Sequence, residues 1–203
     1  MSKHLFRNLA NITVLVRVAL VFVVMVLLES ASASVRLLSV AVLLIALVLD
    51  GLDGYLARRL NIVSGIGGAL DTLGDRITEN ALLIFFACKN LLPLWFALYF
   101  LVRSFMADFI RSLNFRKGIS TFAINDSFIG RLLVSSKFSR VAYLLVKFML
   151  FMTASAILAN GEESPSAGML LHTLFWIVFL FNLIRFLALL RDSSLTIREH
   201  FLS

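Results

Sequence analysis

The sequence predicts an all-α integral membrane protein, a bundle of six transmembrane helices with both termini on the cytoplasmic side. Three observations predict it. Of the 203 residues, 60% are hydrophobic and 19 are Phe, and the mean hydropathy is +0.95, which is more apolar than water-soluble domains tolerate. The apolar residues fall into six runs, each near the roughly 20 residues that a helix needs to cross a hydrocarbon core. The basic residues collect on alternate connections. Six spans in a chain of this length leave room only for short connections, so residues 1–203 are expected to form one membrane domain.

The first run, Ile12 to Leu28, follows a short basic start and has the outline of a secretory leader. Arg17 interrupts it, unlike the apolar stretch of a leader, so it is read as a retained helix. The second run, Val35 to Ala57, ends in an acidic segment, and the third, Gly68 to Ala87, opens on another. Between them lies a short turn holding Asn61, Ser64, Gly65 and Gly67. The fourth run is Leu91 to Ile110, with Pro93 near its start, where a missing N–H costs no helical bond. The fifth is Val141 to Ala159 and the sixth Met169 to Leu190, with Pro165 in the loop between them. One connection is long: Ser112 to about Lys137 is polar and contains Gly118 and Gly130. It reads either as a segment that shapes a substrate site or as a solvated loop carrying topogenic charge.

A net charge of +7 raises nucleic acid as a partner, but the distribution of charge points to membrane topology instead. With six spans, Lys3, Arg7, Arg58, Arg59, Arg116, Lys117, Arg131, Lys137, Arg140, Arg191 and Arg198 fall on one side. The opposite loops hold Arg36 and Lys89 beside Glu29, Glu162 and Glu163. By the positive-inside rule the first side is cytoplasmic, and the acidic segments face the cytoplasm. A single Cys88 excludes a disulfide framework and argues against a cysteine metal site. His4, His172 and His200 lie far from the acids in sequence.

Residues 50–75 read DGLDGYLARRLNIVSGIGGALDTLGD and fit the pattern DxxDGxxARx8Gx3Dx3D at every position. Asp50 and Asp53 are three apart at the end of one helix, and Asp71 and Asp75 are four apart at the start of the next, so each pair shares a helix face. An antiparallel hairpin would let all four carboxylates converge. Four anions in a poorly hydrated site repel one another unless cations of comparable charge stay among them. Two divalent ions would balance them, and oxygen-only ligands select hard cations, Mg2+ or Mn2+. Gly54 and Ala57 clear bulk beside the acids, and the guanidinium groups of Arg58 and Arg59 suit phosphate oxygens. Together these residues describe a diphosphate clamp. The alternative makes the aspartates structural partners of Arg58, Arg59 and Arg76, but carboxylates cost about 2.5 to 3.5 kcal/mol each at mid-membrane, which weighs against four of them serving structure alone.

The stretch resembles the signature of the CDP-alcohol phosphotransferases, membrane enzymes that make phospholipids from CDP-linked donors. The match is complete at Asp50, Asp53, Gly54, Ala57, Arg58, Gly67, Asp71 and Asp75. The resemblance implies that Asp50, Asp53 and Asp71 hold two metal ions with help from Asp75, that Asp75 is the general base, and that Gly54, Ala57 and Gly67 accommodate the CDP moiety. It also implies a homodimer. CDP-diacylglycerol would then be the donor, a small polar alcohol the acceptor, and CMP the leaving group.

The acceptor is read from weaker resemblances. Asn11, Thr13 and Arg17 form an NxTxxxR opening similar to many bacterial members, and Arg103 and Arg111 are spaced like an arginine pair of members that use glycerol 3-phosphate. Arg76 after Asp75 looks closer to inositol-type members, and Lys137 and Arg140 resemble basic residues of either group. Glycerol 3-phosphate is favoured over inositol or its phosphate. Arg103, Arg111, Lys137 and Arg140 also read as cations snorkelling to the interface. Two rivals from other classes are a polyprenyl-diphosphate transferase, whose acidic clusters lie far apart in sequence, and a divalent-cation carrier, which needs acids along a path across the bilayer.

Overall fold

The computed structural model describes residues 2–59, 65–116, 137–161 and 164–193, without the side chains of residues 2–10, 50–59, 65, 66, 111, 113–116, 137, 138, 140 and 192. Among the described residues there are six helices and no strand: α1 (Ser2–Leu28), α2 (Ala33–Arg59), α3 (Gly65–Cys88), α4 (Leu94–Arg116), α5 (Lys137–Asn160) and α6 (Pro165–Asp192). Each coincides with one of the six apolar runs. Most run past the apolar residues at one end or both, because backbone hydrogen bonding does not stop where side chains turn polar. Gly65 and Gly67 accordingly belong to the first turn of α3 rather than to the preceding turn. The long polar connection after α4 begins later than expected, since α4 continues to Arg116. Its remainder, residues 117–136, and the turn at residues 60–64 lie outside the described residues.

Three stretches are long and apolar enough to cross a membrane, Asn11–Leu28, Val141–Asn160 and Pro165–Arg191, and α2 contributes a shorter apolar stretch, Ala33–Leu49. Charged residues interrupt the other two helices: Asp71, Asp75, Arg76 and Glu79 in α3, and Arg103, Asp108 and Arg111 in α4.

The chain divides into two compact units, Met1–Leu94 with Phe151–Met169, and Trp95–Leu150 with Leu170–Ser203. In the first, α1 packs on both α2 and α3. Its buried positions are Val14, Arg17, Val21, Val24 and Leu28, alternating three and four apart in a single stripe, the spacing of a coiled-coil seam. Leu15, Val16, Phe22, Val23 and Val26 point outward. In lipid this sorting is driven by close packing rather than by escape from water.

Several described helix ends in this unit are capped. Asn90, with φ of 60°, closes α3: Leu91 N–H donates to the Phe86 carbonyl at 3.0 Å and Asn90 N–H to that of Ala87 at 3.0 Å, a Schellman arrangement. Gly161, with φ of 76°, follows α5 in the same left-handed conformation, which glycine adopts without strain. Ser164 precedes Pro165 and its Oγ accepts from Ala167 N–H at 3.3 Å, so α6 opens with serine as cap and proline in its first turn. Arg36 donates to the carbonyls of Ala159 at 3.1 Å, Ser30 at 3.0 Å and Ala31 at 3.1 Å. One guanidinium thus ties the turn after α1 to the orphan carbonyls closing α5.

The second unit is built on aromatic rings. Phe96 meets Phe175 at 4.6 Å and Phe100 at 4.8 Å, and Trp95 meets Phe179 at 5.2 Å, all edge to face, contacts worth about 0.5–1.5 kcal/mol each beyond area. Asn182, buried in α6, donates to Tyr143 Oη at 2.8 Å and accepts from Tyr99 Oη at 3.4 Å. This relay joins α4, α5 and α6 through side chains for which the bilayer offers no water.

Candidate active site

The acidic end of α3 is built against α1. Asp71 and Asp75 are one turn apart, and both turn a carboxylate oxygen to the same guanidinium: Arg17 Nη2 lies 2.9 Å from Asp75 Oδ1 and 3.6 Å from Asp71 Oδ1. Arg17 is 1% exposed, whereas Asp71 and Asp75 are 46% and 50% exposed. Arg17 occupies a slot of the buried α1 stripe otherwise filled by valine and leucine. A cation there is tolerable only with anions close by.

Gly74, between the two aspartates, sets how closely α1 and α3 approach. A Cβ at this position would stand 2.6 Å from Val14 Cγ1 and 3.0 Å from Arg17 Nη2. Gly74→Ala is therefore expected to push α1 away and to lower stability by about 1–3 kcal/mol, as overpacking does. Thermal unfolding of the purified variant in detergent measures this; an unchanged transition would show that α1 yields freely.

Further along α3, Glu79 is buried and lies 3.9 Å from Arg76, and Asn80 Nδ2 donates to the Arg76 carbonyl at 2.8 Å. Among the described residues, Asp71 and Asp75 thus pair with a cation of α1, and Arg76 with an acid of its own helix. Hydropathy and motif spacing single out neither Arg17 as their partner nor Glu79. The available signal was a lone ionisable residue inside an apolar run, which in a membrane marks a functional position until shown otherwise.

Of the residues expected from sequence, the structure brings Asp71 and Asp75 together and places Gly67 one turn before them on α3. Asp50, Asp53, Gly54, Ala57 and Arg58 occupy the last turns of α2, with their side chains outside the described residues. Arg103 is half-buried in α4, and its Nε finds no hydrogen-bond acceptor among the described residues. Arg111, Lys137 and Arg140 lie in α4 and α5, again with their side chains outside the described residues.

Two carboxylates facing one guanidinium leave a net negative charge at a half-exposed surface of all-oxygen donors. That donor chemistry fits a hard divalent cation and does not fit zinc or copper.

Fold and site together define a helical membrane protein with an anionic centre at one end of a helix pair. The CDP-alcohol phosphatidyltransferase family model matches residues 7–184, and the chain belongs to that family. It is 32% identical over 116 residues to the CDP-diacylglycerol–glycerol-3-phosphate 3-phosphatidyltransferase of Bacillus subtilis, covering 51% of this chain and 60% of the relative. The enzyme of the same name from Rickettsia bellii is 27% identical over 146 residues, 68% of this chain and 81% of the relative. A CMP-forming cardiolipin synthase of Streptomyces coelicolor is 43% identical over 68 residues, 32% of each chain. The chain thus spans less than two thirds of the Bacillus relative. Membership of the CDP-alcohol phosphatidyltransferase family sets aside the cation-carrier and polyprenyl-transferase alternatives.

Proposed function

We propose that this protein transfers the phosphatidyl group of CDP-diacylglycerol to glycerol 3-phosphate and releases CMP. Support comes from the clustering of Asp71 and Asp75 around Arg17, which gives the family signature a charged centre, and from the names of the Bacillus and Rickettsia relatives. The topology belonging to this reading has six spans, with both termini and the acidic centre at the cytoplasmic end. A homodimer is the assembly the resemblance implies.

In the reaction, the acceptor hydroxyl oxygen bonds to the phosphorus carrying the diacylglycerol, and the bond from that phosphorus to the CMP oxygen breaks. Asp75 accepts the hydroxyl proton, a task for a carboxylate within hydrogen-bond reach of the acceptor. Asp50, Asp53, Asp71 and Asp75 would hold two Mg2+ or Mn2+ ions, which supply charge neutralisation at the diphosphate. Gly54, Ala57 and Gly67 leave room for the cytidine diphosphate, and Arg58 pairs with its oxygens. Arg17 holds Asp71 and Asp75 against α1. Arg103, Arg111, Lys137 and Arg140 are the cations proposed for an acceptor phosphate.

The identity to the Streptomyces relative favours a second reading, in which the acceptor is that of a CMP-forming cardiolipin synthase. CMP release by the purified protein with CDP-diacylglycerol separates the readings when the acceptor is varied among glycerol 3-phosphate, phosphatidylglycerol, inositol, inositol phosphate, serine and choline. Turnover at least tenfold faster with glycerol 3-phosphate is expected. Faster turnover with phosphatidylglycerol or inositol phosphate overturns the assignment of acceptor, and no CMP with any of them overturns the donor.

A further inference from the structure

The geometry points to Arg17 as a resident cation of the acidic centre: a positioning residue that holds Asp71 and Asp75 by one oxygen each and, by its charge, weakens the centre's affinity for divalent ions. This rests on the proposed metal-dependent reading. Three observations carry it. Arg17 is 1% exposed, so its charge is poorly screened by water. Its Nη2 lies 2.9 Å and 3.6 Å from oxygens of the two aspartates, so any ion coordinated by these carboxylates also sits within several ångströms of the guanidinium. Gly74 brings the α3 backbone so near that even a methyl group would meet Val14 and Arg17, so the missing side chain is what leaves the guanidinium its place beside the two carboxylates.

Repulsion between a divalent ion and a fixed positive charge at this range is large wherever water is scarce. The site therefore combines anions that attract the ion with a cation that limits how tightly it is held. Weak holding lets an ion take its remaining ligands from substrate phosphates, as magnesium sites commonly do. The carboxylates meanwhile keep a defined orientation when no ion is bound.

The test titrates wild type, Arg17→Lys, Arg17→Gln and Arg17→Met with Mn2+ in detergent without substrate, following free Mn2+ by electron paramagnetic resonance. Each protein is first checked for monodispersity by size exclusion. Arg17→Met keeps the apolar stem and serves if Arg17→Gln fails to fold. Removing the charge is expected to tighten Mn2+ binding about tenfold, while Arg17→Lys stays near wild type. At saturating Mn2+, kcat is expected to fall at least tenfold in the uncharged variants, with Arg17→Lys intermediate. A merely structural role would reduce the yield of folded protein without strengthening metal binding. Unchanged or weaker Mn2+ affinity in the uncharged variants overturns the inference. Wild type that binds no Mn2+ overturns the metal-dependent reading itself, and that result is seen before any substitution is compared.

Discussion

Asp71→Asn is expected to reduce CMP release about a thousandfold, the loss of about 4 kcal/mol of transition-state stabilisation. Asparagine nearly matches aspartate in volume, so packing against α1 survives and the change is one of charge. With Asp71 neutral, Arg17 offsets the charge of Asp75, and the pull on a divalent ion falls to what Asp50 and Asp53 would supply. Size exclusion should show the variant inserted and monodisperse, and Mn2+ titration should show weakened binding. Turnover within about tenfold of wild type would remove Asp71 from the proposed ligand set, because metal-borne charge stabilisation is worth several kcal/mol.

Asp75→Asn is expected to act on a different parameter. If Asp75 takes the acceptor's proton, its loss costs about 10²- to 10⁴-fold in kcat, while KM for CDP-diacylglycerol moves only about threefold, since donor binding draws on other groups. Arg17 loses its nearer partner, at 2.9 Å, but Asp75 is half-exposed and the contact is correspondingly weakened by solvent. A moderate fall in unfolding temperature therefore accompanies the kinetic effect without explaining it. Initial rates at saturating acceptor measure both constants. A KM raised a hundredfold with kcat intact would make Asp75 a donor-binding residue instead of the base.

The two substitutions are separable by metal binding as well as by rate. Asp71→Asn should weaken Mn2+ binding more than Asp75→Asn does, and neither should tighten it, whereas removing Arg17 should. Opposite signs from residues in direct contact are hard to produce by general destabilisation.

Six helices were legible from the amino-acid order alone, because lipid demands long apolar runs and leaves a helix as the only way to satisfy the backbone in a single span. The first apolar run predicts the C-terminal end of α1 at Leu28, where the structure also ends it. The fourth run predicts the start of α4 at Leu91, three residues early. Pro93 and the Schellman turn at Asn90 delay it to Leu94, a local hydrogen-bonding matter that hydrophobicity does not register. The pairing of Asp71 with Asp75 is equally legible, since a spacing of four puts both side chains on one face whatever the rest of the fold does.

The charge that answers Asp71 and Asp75 was not legible. Sequence proximity offers Arg58, Arg59 and Arg76 as structural partners, the first two with side chains outside the described residues; among the described residues Arg17, more than fifty residues away, contacts both acids. The order of residues determined the helices, the faces on which the acids lie and the family to which the chain belongs, because helical periodicity and lipid solubility act along a chain segment by itself. Only the packed structure decided which helix meets that face and how closely. That choice depends on the seam of α1 interlocking with Gly74, a fit of shape and charge between segments that neither holds alone.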